Sequence, residues 1–319
     1  MPLTASPTRK APARIRYPAV AAGQPPVRRA YDAAAATYDE RVARSAWVRE
    51  LLWRRLDELL PAGARVLDAT AGTGCDAVHL AARGVKVTAC DVSPAMLDRL
   101  AAKDRTIRTR VADCGRLPAA LPGERFDAVL STFAGLNTVA DLDGFAHGAA
   151  GLLAPGGVLF VQLLNRWPVA ELARRWRRGG LTAAWQALAA AWRGERQVEI
   201  GGVRVPHRLL TPRRLYRRVF ARDFALLRVR GQGVLRPVDD PTATPVTAAT
   251  RPEAASAATP AGSGRLDRWE ERLGAWPGSR ALGTFFTLEL RRRGAPAAPG
   301  AGGDGGADAD ADAERGGRR

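Results

Sequence analysis

Residues 65–97 read RVLDATAGTGCDAVHLAARGVKVTACDVSPAML, an order of strand, acid, glycine loop, helix, strand, acid and helix start. Arg65–Leu67 and Val85–Cys90 are the strand candidates. Gly72 and Gly74 lack a Cβ, so a ligand can approach the backbone N–H groups at the mouth of the following helix. Asp91 falls at the end of the second strand, where a carboxylate can accept hydrogen bonds from both hydroxyls of a ribose. Ser93 and Pro94 supply the N-cap and first position of a helix over 94–103. Together these features predict a nucleoside-containing cofactor.

Which nucleoside is a contest at this level. GTGCDA fits the loose dinucleotide pattern G-x-G-x-x-G/A, with an acid about seventeen residues on. Against a dinucleotide stands Asp68, an acid at the tip of the first strand, where a pyrophosphate would have to approach. A P-loop Lys is missing too. A cationic ligand with an amino-acid moiety would welcome that carboxylate, and S-adenosylmethionine combines such a tail with a ribose.

Outward from this stretch, further strands are expected at Ile107–Val111, Ala128–Ser131, Val158–Leu164, Phe224–Arg230 and Thr284–Leu290, with amphipathic helices between them. The alternation argues for an α/β, Rossmann-like sheet of seven mostly parallel strands with helices on both faces. Helices are expected at Ala30–Arg44, Trp47–Leu60 and Leu266–Leu273, and one or two over Arg166–Arg193. Val198–Val205 reads as a hairpin around Gly201 and Gly202, and Thr211–Pro212 as a helix start.

Residues 1–29 carry six basic residues and no acid, without periodicity, and read as a disordered basic arm. Residues 237–264 and 294–319 are Pro/Ala/Thr-rich and Gly/Asp-rich, and are expected to be a flexible loop and a disordered tail. Residues 30–293 then form one domain: a core over 30–165, a helical cap insertion over about 166–221, and final strands over 222–293.

The chain has 319 residues and a net charge of +17, nearly all of its basic residues being Arg. Sixteen Arg against four acids fall in residues 166–230, so the cap region carries most of the excess and would attract an anionic partner. Three cysteines do not make a disulfide framework. No run of about eighteen apolar residues and no secretory leader is evident, so a cytoplasmic protein is expected, without a metal site.

The stretch Arg65–Leu97, with VADCGRLP after it, FDAVLSTFAGLN (Phe126–Asn137), LLAPGGVLFVQLLN (Leu152–Asn165) and the opening YDAAAATYD, resembles the class I S-adenosylmethionine-dependent methyltransferases. The likeness is good over about 30–165 and looser over 205–293. It implies strand order 3-2-1-4-5-7-6 with an antiparallel seventh strand. By it, Asp68, Gly72 and Gly74 hold the methionine part of S-adenosyl-L-methionine. Asp91 takes the ribose hydroxyls, Val92 and Met96 pack near adenine, Asp113 and the Cys114 backbone meet the adenine amino group, and Tyr38 closes over the cofactor. Where the family usually has the first loop glycine this chain has Thr70, which must sit at negative φ.

On the acceptor side the candidates are Phe133 for substrate contact, and Tyr38, Asn137 and His207 for catalysis, with His207 as a general base. The Trp/Arg helices after residue 166 are expected to pack mainly on the core, the alternative being a cap over an apolar substrate or a contact with an anionic membrane surface. The function implied is methyl transfer to an O, N or C nucleophile of a small molecule. Rival readings are an RNA methyltransferase, a non-catalytic cofactor-binding or membrane-associated regulatory protein, and a nicotinamide oxidoreductase. STFAGLN lacks the Asn/Asp-Pro-Pro-aromatic signature of amino-group nucleic-acid methyltransferases.

Overall fold

The computed structural model describes residues 25–43, 45–236, 238 and 265–294. Helices α1 (Pro25–Ala34), α2 (Tyr38–Ala43) and α3 (Ala46–Leu59) precede β1 (Arg65–Asp68), α4 (Cys75–Ala82), β2 (Lys86–Asp91), α5 (Pro94–Lys103) and β3 (Arg108–Val111). There follow α6 (Leu117–Ala120), β4 (Phe126–Ser131), α7 (Leu142–Leu152), β5 (Leu153–Leu164), α8 (Val169–Arg193), β6 (Glu195–Ile200) and β7 (Val203–Arg208). The last elements are α9 (Pro212–Leu215), β8 (Phe224–Gln232), α10 (Leu266–Ala275) and β9 (Phe285–Arg292).

Seven strands form one sheet in the order β3-β2-β1-β4-β5-β9-β8, and β6 and β7 pair separately. Strands β1 to β5 run parallel, while β9 lies antiparallel to both β5 and β8. This is the expected order, the sixth and seventh sheet strands being β8 and β9. Because side chains alternate along a strand, neighbouring residues feed opposite cores. Leu67, Val129, Leu159 and Val161 pack on the α7 side, and Val66, Ala128, Leu130 and Phe160 on the side of α3, α4 and α5. A buried fork fastens the latter layer: Arg55 on α3 donates from Nε and Nη2 to the two carboxylate oxygens of Glu289 on β9, at 2.8 and 2.7 Å.

Several boundaries differ from the sequence reading. Helix begins at Pro25, inside the expected arm, and Val27 is buried; residues 1–24 lie outside the described residues. The expected first helix is interrupted by a 3-10 turn at Ala35–Thr37. Of the expected loop, Val238 is buried in the core and 237 and 239–264 lie outside the described residues, as do 295–319 of the expected tail. The hairpin runs longer than its β-branched centre, and Gly201 and Gly202 take positive φ at its turn. Gly201 also meets α1, since a Cβ there would come 2.6 Å from the Ala30 carbonyl oxygen.

The cap corrects the packing expectation. Helix α8 breaks at Gly180 (φ 66°, ψ −164°), as the lack of a Cβ permits. Ala190 and Ala191 face inward, whereas Trp176, Leu181, Trp185 and Trp192 are 58 to 69% exposed. The stripe that sequence periodicity assigns to a core is on the surface, because small alanines let the helix approach β6 by its other face.

Candidate functional site

The glycine loop and the C-terminal ends of β1, β2 and β4 line an open cleft. Its wall includes Tyr31, Tyr38, Thr70, Gly72, Asp91, Val92, Asp113, Cys114 and Phe133. Gly72 turns at φ 55° and Gly74 at φ 80°. Gly74 is also a packing requirement, because a Cβ there would sit 2.1 Å from Leu100 Cδ1. The Gly72 and Ser93 N–H groups donate to the two Asp91 carboxylate oxygens, each at 2.9 Å. Asp91 is thereby aimed at the cavity, and burial pushes its carboxyl up against those N–H groups. Asp113 caps the turn at Cys114–Arg116 through Gly115 N–H.

Thr70 avoids positive φ, as required, and its hydroxyl bonds Ser131 Oγ at 2.8 Å. The room for it is made by Gly135, where a Cβ would lie 2.5 Å from Thr70 Oγ1. The loop's departure at residue 70 is therefore matched by a glycine across the cavity.

Two features escaped the sequence reading. Asp76 is 3% exposed on the cavity wall. It accepts from Arg49 Nη1 at 2.5 Å, Trp53 Nε1 at 2.7 Å and Thr132 Oγ1 at 2.6 Å, while the Arg49 guanidinium lies 3.8 Å from the centre of the Phe133 ring. Phe133 and Ala134 both take positive φ, 46° and 67°, a strained choice for residues with a Cβ. They are held by Gln162, whose side-chain oxygen accepts from Phe133 N–H at 2.9 Å and whose side-chain nitrogen donates to Gln232.

The second feature is how the N-terminal helices close one side. Asp32 accepts from Ser93 Oγ at 2.6 Å and Ala95 N–H at 3.3 Å. Asp39 accepts from Thr73 Oγ1 at 2.5 Å and Lys103 Nζ at 2.9 Å, and Lys103 also donates to the Thr73 carbonyl at 2.8 Å. These bonds set Tyr38 over the loop, its ring carbon 3.7 Å from where a Gly72 Cβ would be. Burial pushes the Tyr38 phenol up to about 12, against the pull of Arg49, so it remains a hydrogen-bond donor near neutral pH and not a base. Both aspartates lie in YDAAAATYD, where an acid one residue after each Tyr was the available signal.

Other expected site residues fall elsewhere. Asp68 is buried beneath the loop, accepts from Thr70 N–H at 3.4 Å and does not line the cavity; burial, reinforced by Asp76, pushes its carboxyl up to about 8. Met96 is packed against α1 and the hairpin, behind Val92. Asn137 is fully buried and clamps chain segments together, accepting from Leu164 N–H and donating to the Leu164 and Arg208 carbonyls. His207 is also fully buried, its Nδ1 3.2 Å from the Val205 carbonyl, and is absent from the cavity wall. Neither Asn137 nor His207 is in place to touch an acceptor in this cavity, because both point into the junction of β7 with the sheet. The cysteines are free, and burial raises the Cys90 thiol to about 12 and the Cys114 thiol further, which leaves them unreactive.

The donor set fits an adenosyl amino-acid ligand. Three Asp and one Arg line the cavity, and that Arg is engaged by Asp76. Such an acidic wall suits a ribose and a cationic tail and opposes a pyrophosphate.

The fold is that of S-adenosylmethionine-dependent methyltransferases, and residues 66–157 match the family described as methyltransferase domain. More particularly, the chain is 35% identical over 141 residues to the demethylmenaquinone methyltransferase of Tropheryma whipplei (strain Twist), covering 42% of this chain and 57% of that one. It is 39% identical over 116 residues to the ubiquinone biosynthesis O-methyltransferase of Xanthomonas axonopodis pv. citri, covering 35% and 48%. The chain thus spans about half the length of the relatives it matches. A solved S-adenosylmethionine-dependent methyltransferase from Listeria monocytogenes shares the fold at 16% identity and TM-score 0.50, covering 76% of this chain and 96% of that one.

Proposed function

We propose that this protein transfers a methyl group from S-adenosyl-L-methionine to an O, N or C nucleophile of a small molecule, an apolar aromatic compound being favoured by the quinone-pathway names of its relatives. The observation that carries the reading is Asp91, half-buried at the end of β2, oriented by two N–H groups and facing an acidic cavity. The bound cofactor supplies a methyl group already activated by its sulfonium. The chain's residues then have to bind, align and exclude water.

Gly72 lets the backbone approach the ligand, Asp91 accepts the ribose hydroxyls, and Asp113 with Val92 and Cys114 forms the adenine end. Tyr38 covers the loop and keeps its proton. Phe133, held at positive φ by Gln162 and stacked by Arg49, presents its ring to the acceptor side of the cavity. Among the described cavity residues, Asp76 is occupied by three donors, so alignment carries the reaction. Asn137 acts here by tying the end of β5 to β7.

Titration calorimetry with S-adenosylmethionine, S-adenosylhomocysteine and NAD tests the reading, with Asp91→Ala as control. Micromolar binding of both adenosyl compounds, lost in the variant, is expected, followed by labelled-methyl transfer to a panel of hydroxylated aromatic acceptors. Binding of NAD in their place would overturn it.

A further inference from the structure

Helix α8 carries an apolar stripe that stays largely exposed, although the Trp192 ring meets Trp167 edge-on at 5.7 Å and Leu188 is half-buried. Leu181, Trp185, Leu188 and Trp192 follow one another at i, i+4, i+7 and i+11, the spacing of a single helix face. Leu181, Trp185 and Trp192 are 69, 66 and 68% exposed. Trp176, in the half before the Gly180 break, is 58% exposed. An indole on a soluble surface usually turns its ring inward and shows only its N–H; here the inward positions belong to Ala190 and Ala191, and the rings project. Burying three tryptophans and a leucine elsewhere is therefore favourable by several kcal/mol in principle, at about 25 cal/mol per Å2 of apolar surface.

Charge selects the occupant. Arg177, Arg178 and Arg193 are exposed on the same helix, and residues 166–230 hold sixteen Arg against four acids. A second copy docking by the same face would set these guanidinium groups against their own counterparts, an unfavourable pairing. Tryptophan beside arginine is instead the composition of a helix lying in a lipid interface, the indoles at headgroup depth and the guanidinium groups on the phosphates. No described helix is long and apolar enough to cross a membrane, so the contact would be peripheral.

We infer that α8 docks the protein on the surface of an anionic phospholipid bilayer through Leu181, Trp185 and Trp192. The docked helix neighbours a second cavity, whose wall mixes Leu172, Ala190 and Val198 with Glu171, Arg175 and Arg196. Docking does not depend on methyl transfer, and the two can fail separately.

The test is co-sedimentation of the full chain with phosphatidylcholine vesicles, with and without phosphatidylglycerol. Binding to the mixed vesicles only, with a blue shift of tryptophan emission, is expected. The triple variant Leu181→Ser, Trp185→Ser, Trp192→Ser should lose at least tenfold in partitioning. These side chains are surface-exposed, so unchanged far-UV circular dichroism and S-adenosylmethionine affinity would show that the variant is folded. Should it misfold, quenching of wild-type tryptophan emission by brominated acyl chains reads insertion without any substitution, and no quenching sinks the inference. Equal binding of variant and wild type would reduce the effect to bulk charge and overturn the proposal. So would equal binding to pure phosphatidylcholine, or a wild-type dimer in sedimentation velocity that the variant dissociates.

Discussion

Trp53 and Trp185 show the two halves of this molecule using the same residue for opposite purposes. Trp53 stacks on His79 at 4.2 Å and gives its N–H to Asp76, inside a network that shapes the cofactor cavity. Trp185 stands two-thirds exposed on α8. The difference follows from what lies opposite. Around β1 to β4, helices bring apolar stripes to a sheet whose strands are themselves apolar, and each buried polar group finds a partner. Helix α8 packs along β6 and brings alanines to its inner face, Ala190 reaching the main-sheet core. Tight, fully bonded packing defines the first region, and a surface kept open for something outside the chain defines the second.

The sharpest way to break that contrast is to damage the first region. Asp76→Ala strands the buried Arg49 and removes the acceptor of Trp53 and Thr132, so it should lower stability by about 3–5 kcal/mol, read by urea denaturation. An equal loss from Trp185→Ser would erase the distinction. Next comes Asp91→Ala, expected to weaken S-adenosylmethionine binding about a hundredfold by removing charge-assisted hydrogen bonds, while Asp91→Asn retains part of it because the loop N–H groups keep an acceptor.

Asp68 offers a pH handle on the same region. An acid held at about 8 in the folded chain keeps a proton that the unfolded chain has lost, so between about pH 4 and about pH 8 it subtracts stability progressively as pH rises. Asp68→Asn should therefore raise Tm at about pH 8 and give no gain at about pH 4, by scanning calorimetry at both. The same change in Tm at both pH values would mean that the carboxyl titrates normally. The smallest effect is expected in the cap: Trp185→Ser should change stability by no more than about 0.5 kcal/mol, and a larger loss would show that the indole packs on the protein.

The sheet and glycine loop were legible because their signals are local: β-branched runs, acids at strand ends, and Gly72 and Gly74 where only a missing Cβ suffices. Asp91, Val92, Asp113, Cys114, Tyr38 and Phe133 reach the cavity wall for that reason. Asp76 was underread because its partners come from α3 and β4, 23 to 56 residues away, and nothing in CDAVHL reveals them. His207 and Asn137 looked functional since polar residues near a strand end often are, yet Asn137 is engaged by the main chain of β5 and β7 and His207 is buried away from the cavity wall, its Nδ1 near the Val205 carbonyl two residues back. The α8 stripe misled for a physical reason: periodicity shows that a helix has an apolar face but not which neighbour, if any, that face meets.

The seating of the N-terminal helices sets an order of events during synthesis. Val27, Ala30 and Ala34 on α1 pack with Val198, Ile200 and Val205 of the β6–β7 hairpin, and Asp32 and Asp39 reach to α5 and the glycine loop. A ribosome releases α1 first, yet its berth is complete only after the hairpin has emerged, more than 160 residues later. Helix α1 therefore waits while the sheet forms behind it, and the cavity gains its last wall from a segment made well before the hairpin that seats it.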